Sequence, residues 1–137
     1  MKKAVVDTNV LISGLFWEGT PKKVIDKFRY DPDHKMIFSP ELIHELRSKL
    51  LVKFKMKPEI VTGIVSRITQ YSELVNPKFL TEICRDKNDN MVLDTALAGN
   101  ADYIISGDRD LLTLKEFNGI KIVTPGQFIP HSPRRVR

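Results

Sequence analysis

A single cysteine, Cys84, among 137 residues excludes an internal disulfide framework and fits a reducing, cytoplasmic compartment. His34, His44 and His131, the three histidines, lack the close pairing of zinc ligands and are expected on the surface or in packing. No apolar run approaches the ~20 residues that a membrane span requires. The opening Met1-Lys2-Lys3-Ala4-Val5-Val6-Asp7 meets an aspartate after three apolar residues, which is not a signal-peptide pattern. Gly14 and Gly19 have a spacing reminiscent of a phosphate-binding loop, but Thr20 stands where that loop needs lysine. A phosphotransferase using Asp7 as nucleophile commonly carries a second aspartate two residues on, and this chain has Asn9 there.

What remains is an ordinary soluble composition, 42% hydrophobic and 28% charged, enough for one domain with a real core. The net charge of +5 is unevenly placed. Arg134, Arg135 and Arg137 lie in a terminal stretch without acids, so the body of the chain is nearly neutral. Within it, Arg47, Lys49, Lys53, Lys55 and Lys57 follow one another without an intervening acid, a local positive stretch suited to a polyanion such as RNA. A solvated helix end is the plainer account of the same residues.

Apolar runs and turn signals alternate along the chain. Ala4-Val5-Val6 forms a short buried strand ending at Asp7, followed by a loop containing Gly14 and Gly19. Thr20-Pro21 and Ser39-Pro40 pair an N-cap residue with a first-turn proline and open two helices, separated by a strand at Lys35 to Phe38. Pro58 starts a third helix, and Glu73 to Val75 gives a short strand. A helix containing Met91 to Ala98 stops at Gly99-Asn100. Tyr103-Ile104-Ile105 and Lys121-Ile122-Val123 are the last strands, with Thr124-Pro125 opening a short turn or helix. This alternation predicts an α/β fold with a mostly parallel central sheet covered on both faces. One domain is expected over residues 1–129, with 130–137 a flexible basic tail.

In such sheets ligands bind beyond the carboxyl ends of the strands. Asp7 and Asp108 both follow strands, and adjacent strands would bring them together. On the helix from Ser39, residues advance about 100° each. Leu42, Leu46 and Leu50 mark the buried stripe, with Glu45 flanking it and Glu41 turned further toward solvent. Asp89 begins the next helix and can project toward the same crevice, although a first-turn acid also suits the helix dipole. Clustered carboxylates repel unless cations neutralise them. Oxygen-only ligands favour Mg²⁺ or Mn²⁺, and two such ions about 4 Å apart suit phosphodiester hydrolysis.

Four segments resemble the motifs of the PIN-domain family: Val5 to Ile12 the first, Ser39 to Leu46 the second, Asp89 to Ala98 the third and Ala101 to Leu112 the fourth. The resemblance reaches to about Phe128. It implies a three-layer α/β/α PIN-like fold and a Mg²⁺- or Mn²⁺-dependent endoribonuclease acting on RNA. Such an enzyme is often the VapC-like toxin of a toxin–antitoxin pair, held by a small antitoxin protein, and often a homodimer. By position, Asp7, Asp89 and Asp108 would bind metal, and Glu45 would bind metal or orient the attacking water. Asn9, Ser106 and Asp110 would be supporting polar residues. Two positions depart from the pattern or blur it. Asp94 stands where relatives often have a small residue and is expected to be exposed, and Asp86 competes with Asp89 if the helix begins early. A housekeeping nuclease for RNA processing or decay is the alternative enzyme, and a PIN-like module that only binds RNA or protein is the alternative of another class.

Overall fold

The computed structural model describes residues 1–130; His131 and the arginines of the expected basic tail lie outside the described residues. Strand β1 (Lys2–Val6) is followed by α1 (Thr8–Phe16), α2 (Thr20–Tyr30), β2 (His34–Phe38) and α3 (Pro40–Ser48). One π-helical turn, Lys49–Lys53, leads to α4 (Pro58–Thr69), β3 (Ser72–Leu74), α5 (Lys87–Ala98) and β4 (Tyr103–Ile105). The chain then forms α6 (Arg109–Leu114), β5 (Glu116–Phe117), β6 (Ile120–Val123) and α7 (Pro125–Phe128). The strands order β3-β2-β1-β4-β6-β5, parallel except for the β5–β6 pair. Helices flank this sheet in three α/β/α layers. No described helix is long and apolar enough to cross a membrane.

The central strands are apolar because both their faces are covered. Ala4, Val5, Met36, Ile37, Ile104 and Ile105 have no solvent exposure. Capping residues set the helix starts. Ser39 Oγ accepts a hydrogen bond from Leu42 N at 3.3 Å and lies 2.9 Å from Thr95 Oγ1, tying α3 to α5. Thr124 and Gln127 form a reciprocal capping box around α7.

Two local expectations differ from the structure, at residues 8–16 and at Asp94, and one hairpin carries no earlier expectation. Residues 8–16 are helix α1 rather than loop. Thr8, Val10, Leu11, Ile12 and Gly14 are all buried, so the helix has little polar face and its period is faint in the sequence. Gly14 is not a loop glycine but a contact point. A Cβ there would lie 2.5 Å from Ile25 Cγ1 and 2.6 Å from the Pro21 carbonyl oxygen, so only glycine lets α1 and α2 pack this closely. Gly14→Ala is therefore expected to destabilise the protein by about 1–3 kcal/mol, lowering Tm by roughly 4–10 °C in a thermal melt. An unchanged Tm would mean that the two helices separate at no cost.

Next, Asn118 and Gly119 both have positive φ, 50° and 84°, and close the antiparallel β5–β6 hairpin that Asn-Gly favours. Finally, Asp94 is buried at 5% exposure, not solvent-facing. Its carboxylate accepts hydrogen bonds from the Thr81 hydroxyl and backbone N–H, which fastens the segment before α5 onto that helix.

Candidate metal and active site

Parallel pairing of β1 with β4 sets Val6 opposite Ile105, and Asp7 N donates to Ile105 O at 2.9 Å. The residues leaving these two strand ends therefore start side by side. Ser106, fully buried, donates its hydroxyl to Asp7 Oδ2 at 2.7 Å and accepts from Asp108 N at 2.9 Å. One hydroxyl thus indexes both strand-end aspartates. Asp108 caps α6 through Oδ1, which accepts from Asp110 N at 2.8 Å.

The helices supply the rest. Asp89 projects from the first turn of α5 into the cavity that Asp7, Glu45 and Asp108 also line. Glu45 on α3 is positioned by Thr8, whose hydroxyl donates to Oε1 at 2.7 Å. Glu41 is half-buried rather than turned to solvent, with Oε1 enclosed and unpaired, but it does not line the cavity. Asp86 is the exposed N-cap of α5, its Oδ1 accepting from Asn88 N at 2.9 Å. It edges the same cavity, whereas Asp89 is the buried acid.

Lys49, part of the basic stretch expected to meet RNA, lines the acidic cavity. Its ammonium lies 3.7 Å from Glu45 Oε2 and donates to Asn9 Oδ1 at 3.0 Å. Arg47 reaches Thr62 Oγ1 at 3.5 Å, while Lys53, Lys55 and Lys57 are exposed. Asp110 stands beside the acids. One carboxylate oxygen from each of Asp89, Asp108 and Asp110 lies within 4.8 Å of the other two. Asp110 is also held by Arg85, whose Nη2 donates to both its oxygens at 3.0 Å.

Electrostatics single out Asp89. Burial, followed by the negative charges of Asp108, Asp86, Asp7 and Asp110, pushes its pKa up to about 7. Its Oδ2 is enclosed and has no hydrogen-bond partner, a costly state for a carboxylate unless something positive meets it. An oxygen-only donor set with one orphaned buried oxygen fits a hard divalent cation.

Thr8, Arg85 and Asn90 were not singled out as site residues, because no local pattern marks their roles. Asn90 holds the approach to α5 by accepting from Cys84 N at 2.9 Å and donating to Cys84 O at 3.0 Å. Thr8 was visible only as the residue between two named polar positions, Asp7 and Asn9.

A family model described as PIN domain matches residues 3–110. The uncharacterized protein MJ1680 of Methanocaldococcus jannaschii is 31% identical over 140 aligned positions, covering 93% of this chain and 89% of the relative. Among solved structures, a chain of VapBC2 from Rickettsia felis, bound to a DNA fragment from their promoter, superimposes with a TM-score of 0.62 at 12% identity. That match covers 89% of this chain and 98% of the other.

Proposed function

The chain belongs to the PIN-domain family of nucleases, and we propose that it is a Mg²⁺- or Mn²⁺-dependent endoribonuclease acting in the cytoplasm as the toxin of a toxin–antitoxin pair. The observation that carries the enzymatic reading is the enclosed, unpartnered Asp89 Oδ2 amid the carboxylates of Asp7, Asp108 and Asp110. Asp7, Asp89 and Asp108 would hold the metal, with Asp110 beside them and Glu45 as a further ligand or as the acceptor that orients water. A divalent cation held there would supply the Lewis acidity that phosphodiester hydrolysis needs.

The chain's own residues do the positioning. Ser106 holds Asp7 and Asp108 in register, and Thr8 aims Glu45. Lys49 offsets the charge of Glu45, and Asn9 restrains Lys49. Arg47, Lys53, Lys55 and Lys57 are proposed as contacts to RNA phosphates, while Lys49 serves the cavity itself. The toxin role is supported by the likeness of the fold to a chain of VapBC2 and by a cavity whose charge a basic inhibitor side chain can match. A small antitoxin protein and a second copy of the chain are the proposed partners. Leu74, Phe79, Leu80 and Ile83 are exposed apolar side chains that such a partner can cover.

The direct test is cleavage of unstructured RNA by the purified chain. Cleavage is expected with Mg²⁺ or Mn²⁺ and is expected to stop with EDTA and resume when the metal is restored. Undiminished cleavage in EDTA would falsify the metal-dependent reading.

A further inference from the structure

Two chain segments leave the acidic cavity side by side. At the cavity end, Lys49 Nζ is bonded to Asn9 Oδ1 at 3.0 Å. Roughly 10 Å further along α1, at the helical rise of 1.5 Å per residue, the same two segments meet again through aromatic rings. Phe16 and Phe54 are stacked with centroids 6.4 Å apart, and Trp17 lies 6.1 Å from Phe16 and 6.5 Å from Phe54. These rings are not core. Phe16 is 40% exposed, Trp17 57% and Phe54 38%.

The placement of Phe54 is built rather than loose. Phe54 N donates to Lys49 O at 3.1 Å, and Met56 N to Leu50 O at 3.0 Å. Lys55 between them takes φ of 54°, a left-handed conformation that a lysine adopts at a cost. Charge surrounds the rings on the same side of the sequence. Lys53 Nζ stands 5.9 Å from the Phe54 ring centroid, and Lys55 and Lys57 are exposed just beyond. Glu18 is the acid beside Trp17, and from Arg47 to Pro58 there is none.

We propose that Phe16, Trp17 and Phe54 form a stacking platform for unpaired bases of the RNA whose scissile phosphate lies at the acidic cavity. An apolar partner surface does not need cations around it, whereas a polynucleotide needs both components. Aromatic faces take its bases and lysines take its phosphates. A duplex keeps its bases stacked on one another and cannot use such a platform, so the arrangement selects single-stranded or loop RNA. This proposal rests on the nuclease reading for its substrate, yet binding can be measured without cleavage.

Trp17 is the sole tryptophan, so its fluorescence reports directly on the platform. The full chain, in EDTA, is titrated with a short oligoadenylate, an abasic oligonucleotide of equal length and a duplex. Saturable quenching by oligoadenylate alone is expected, while the affinity of each strand is followed separately by the fluorescence anisotropy of an end label. Phe54→Leu, which preserves apolar volume but removes the ring, is expected to weaken oligoadenylate binding roughly 5- to 100-fold with little change in abasic binding. Replacing Lys53, Lys55 and Lys57 by Ala is expected to flatten the salt dependence for both strands, by about 0.7 in log–log slope for each lost contact.

Equal quenching by the abasic strand, or wild-type RNA affinity in Phe54→Leu, overturns the proposal, the second result assigning the patch to a protein partner. A melt of each variant guards against misfolding, and the comparison of strands on the wild type needs no variant. Quenching without cleavage on adding metal would sink the nuclease reading and leave the platform. Cleavage without quenching would do the reverse.

Discussion

Asp89→Asn is expected to lose at least about 100-fold in nuclease activity while making the metal-free protein more stable at pH 8. The two effects have one cause. Burial and four neighbouring carboxylates raise the Asp89 pKa from its ordinary 3.8 to about 7. Between those values the folded chain holds a proton that the unfolded chain has released, so stability falls as pH rises through this window. Above pH 7 the folded protein carries a buried, unpartnered charge. Asparagine has nearly the same shape without that charge. Melts in EDTA at pH 8 should show the variant above the wild type by about 4 °C for each kcal/mol relieved. At pH 5, inside that window, the gain should shrink to less than half, and below pH 4, where both states hold the proton, it should vanish. Mg²⁺ should stabilise the wild type more at pH 8 than at pH 5, because at the lower pH protons compete for the same oxygen. A variant less stable than the wild type at pH 8 would show that Asp89 is paired by something in the metal-free fold.

Expression of the wild-type chain without an inhibitor is expected to stop bacterial growth and degrade RNA, and Asp7→Asn is expected to relieve both. The substitution retains an oxygen that Ser106 can still donate to but removes charge from the strand end where metal is proposed to bind. The same electrostatics describe the proposed antitoxin. A guanidinium inserted among the acids substitutes for the metal's charge and engages carboxylates in two hydrogen bonds. Lys49 already holds an ammonium 3.7 Å from Glu45, so a cation is compatible with that wall of the cavity. The measurement is growth and total RNA integrity for wild type and Asp7→Asn expressed side by side. A harmless wild type that nevertheless cleaves RNA once purified removes the toxin role and leaves a housekeeping nuclease.

The parts of this site legible in the sequence are those that regular structure places. Asp7 and Asp108 each follow a short apolar strand, and parallel sheets carry their chemistry at that end. Glu45 was separable from Glu41 because helical periodicity set them at different angles to Leu42, Leu46 and Leu50. Parts that depend on contacts between distant segments were not legible. The Thr8–Glu45 bond spans 37 residues and the Arg85–Asp110 bond 25, and neither end carries a local signal. Asp94 was misplaced for a related reason. Residues Val92 to Ala96 are all buried on α5, because the preceding loop covers the side that would otherwise face solvent. Lys49 was read with its neighbours in the chain, whereas its position on the turn after α3 decides that it points at Glu45.

The bond from Ser106 to Asp7 joins residues 99 positions apart, with a consequence for synthesis. A ribosome releases Asp7 first, and the strand that completes the acidic pocket emerges about 100 residues later. Such a long-range closure cannot form before both partners exist. Fragments ending before β4 should therefore be inert, and a nuclease active on cellular RNA would acquire its activity only once that strand had been translated and had left the ribosome.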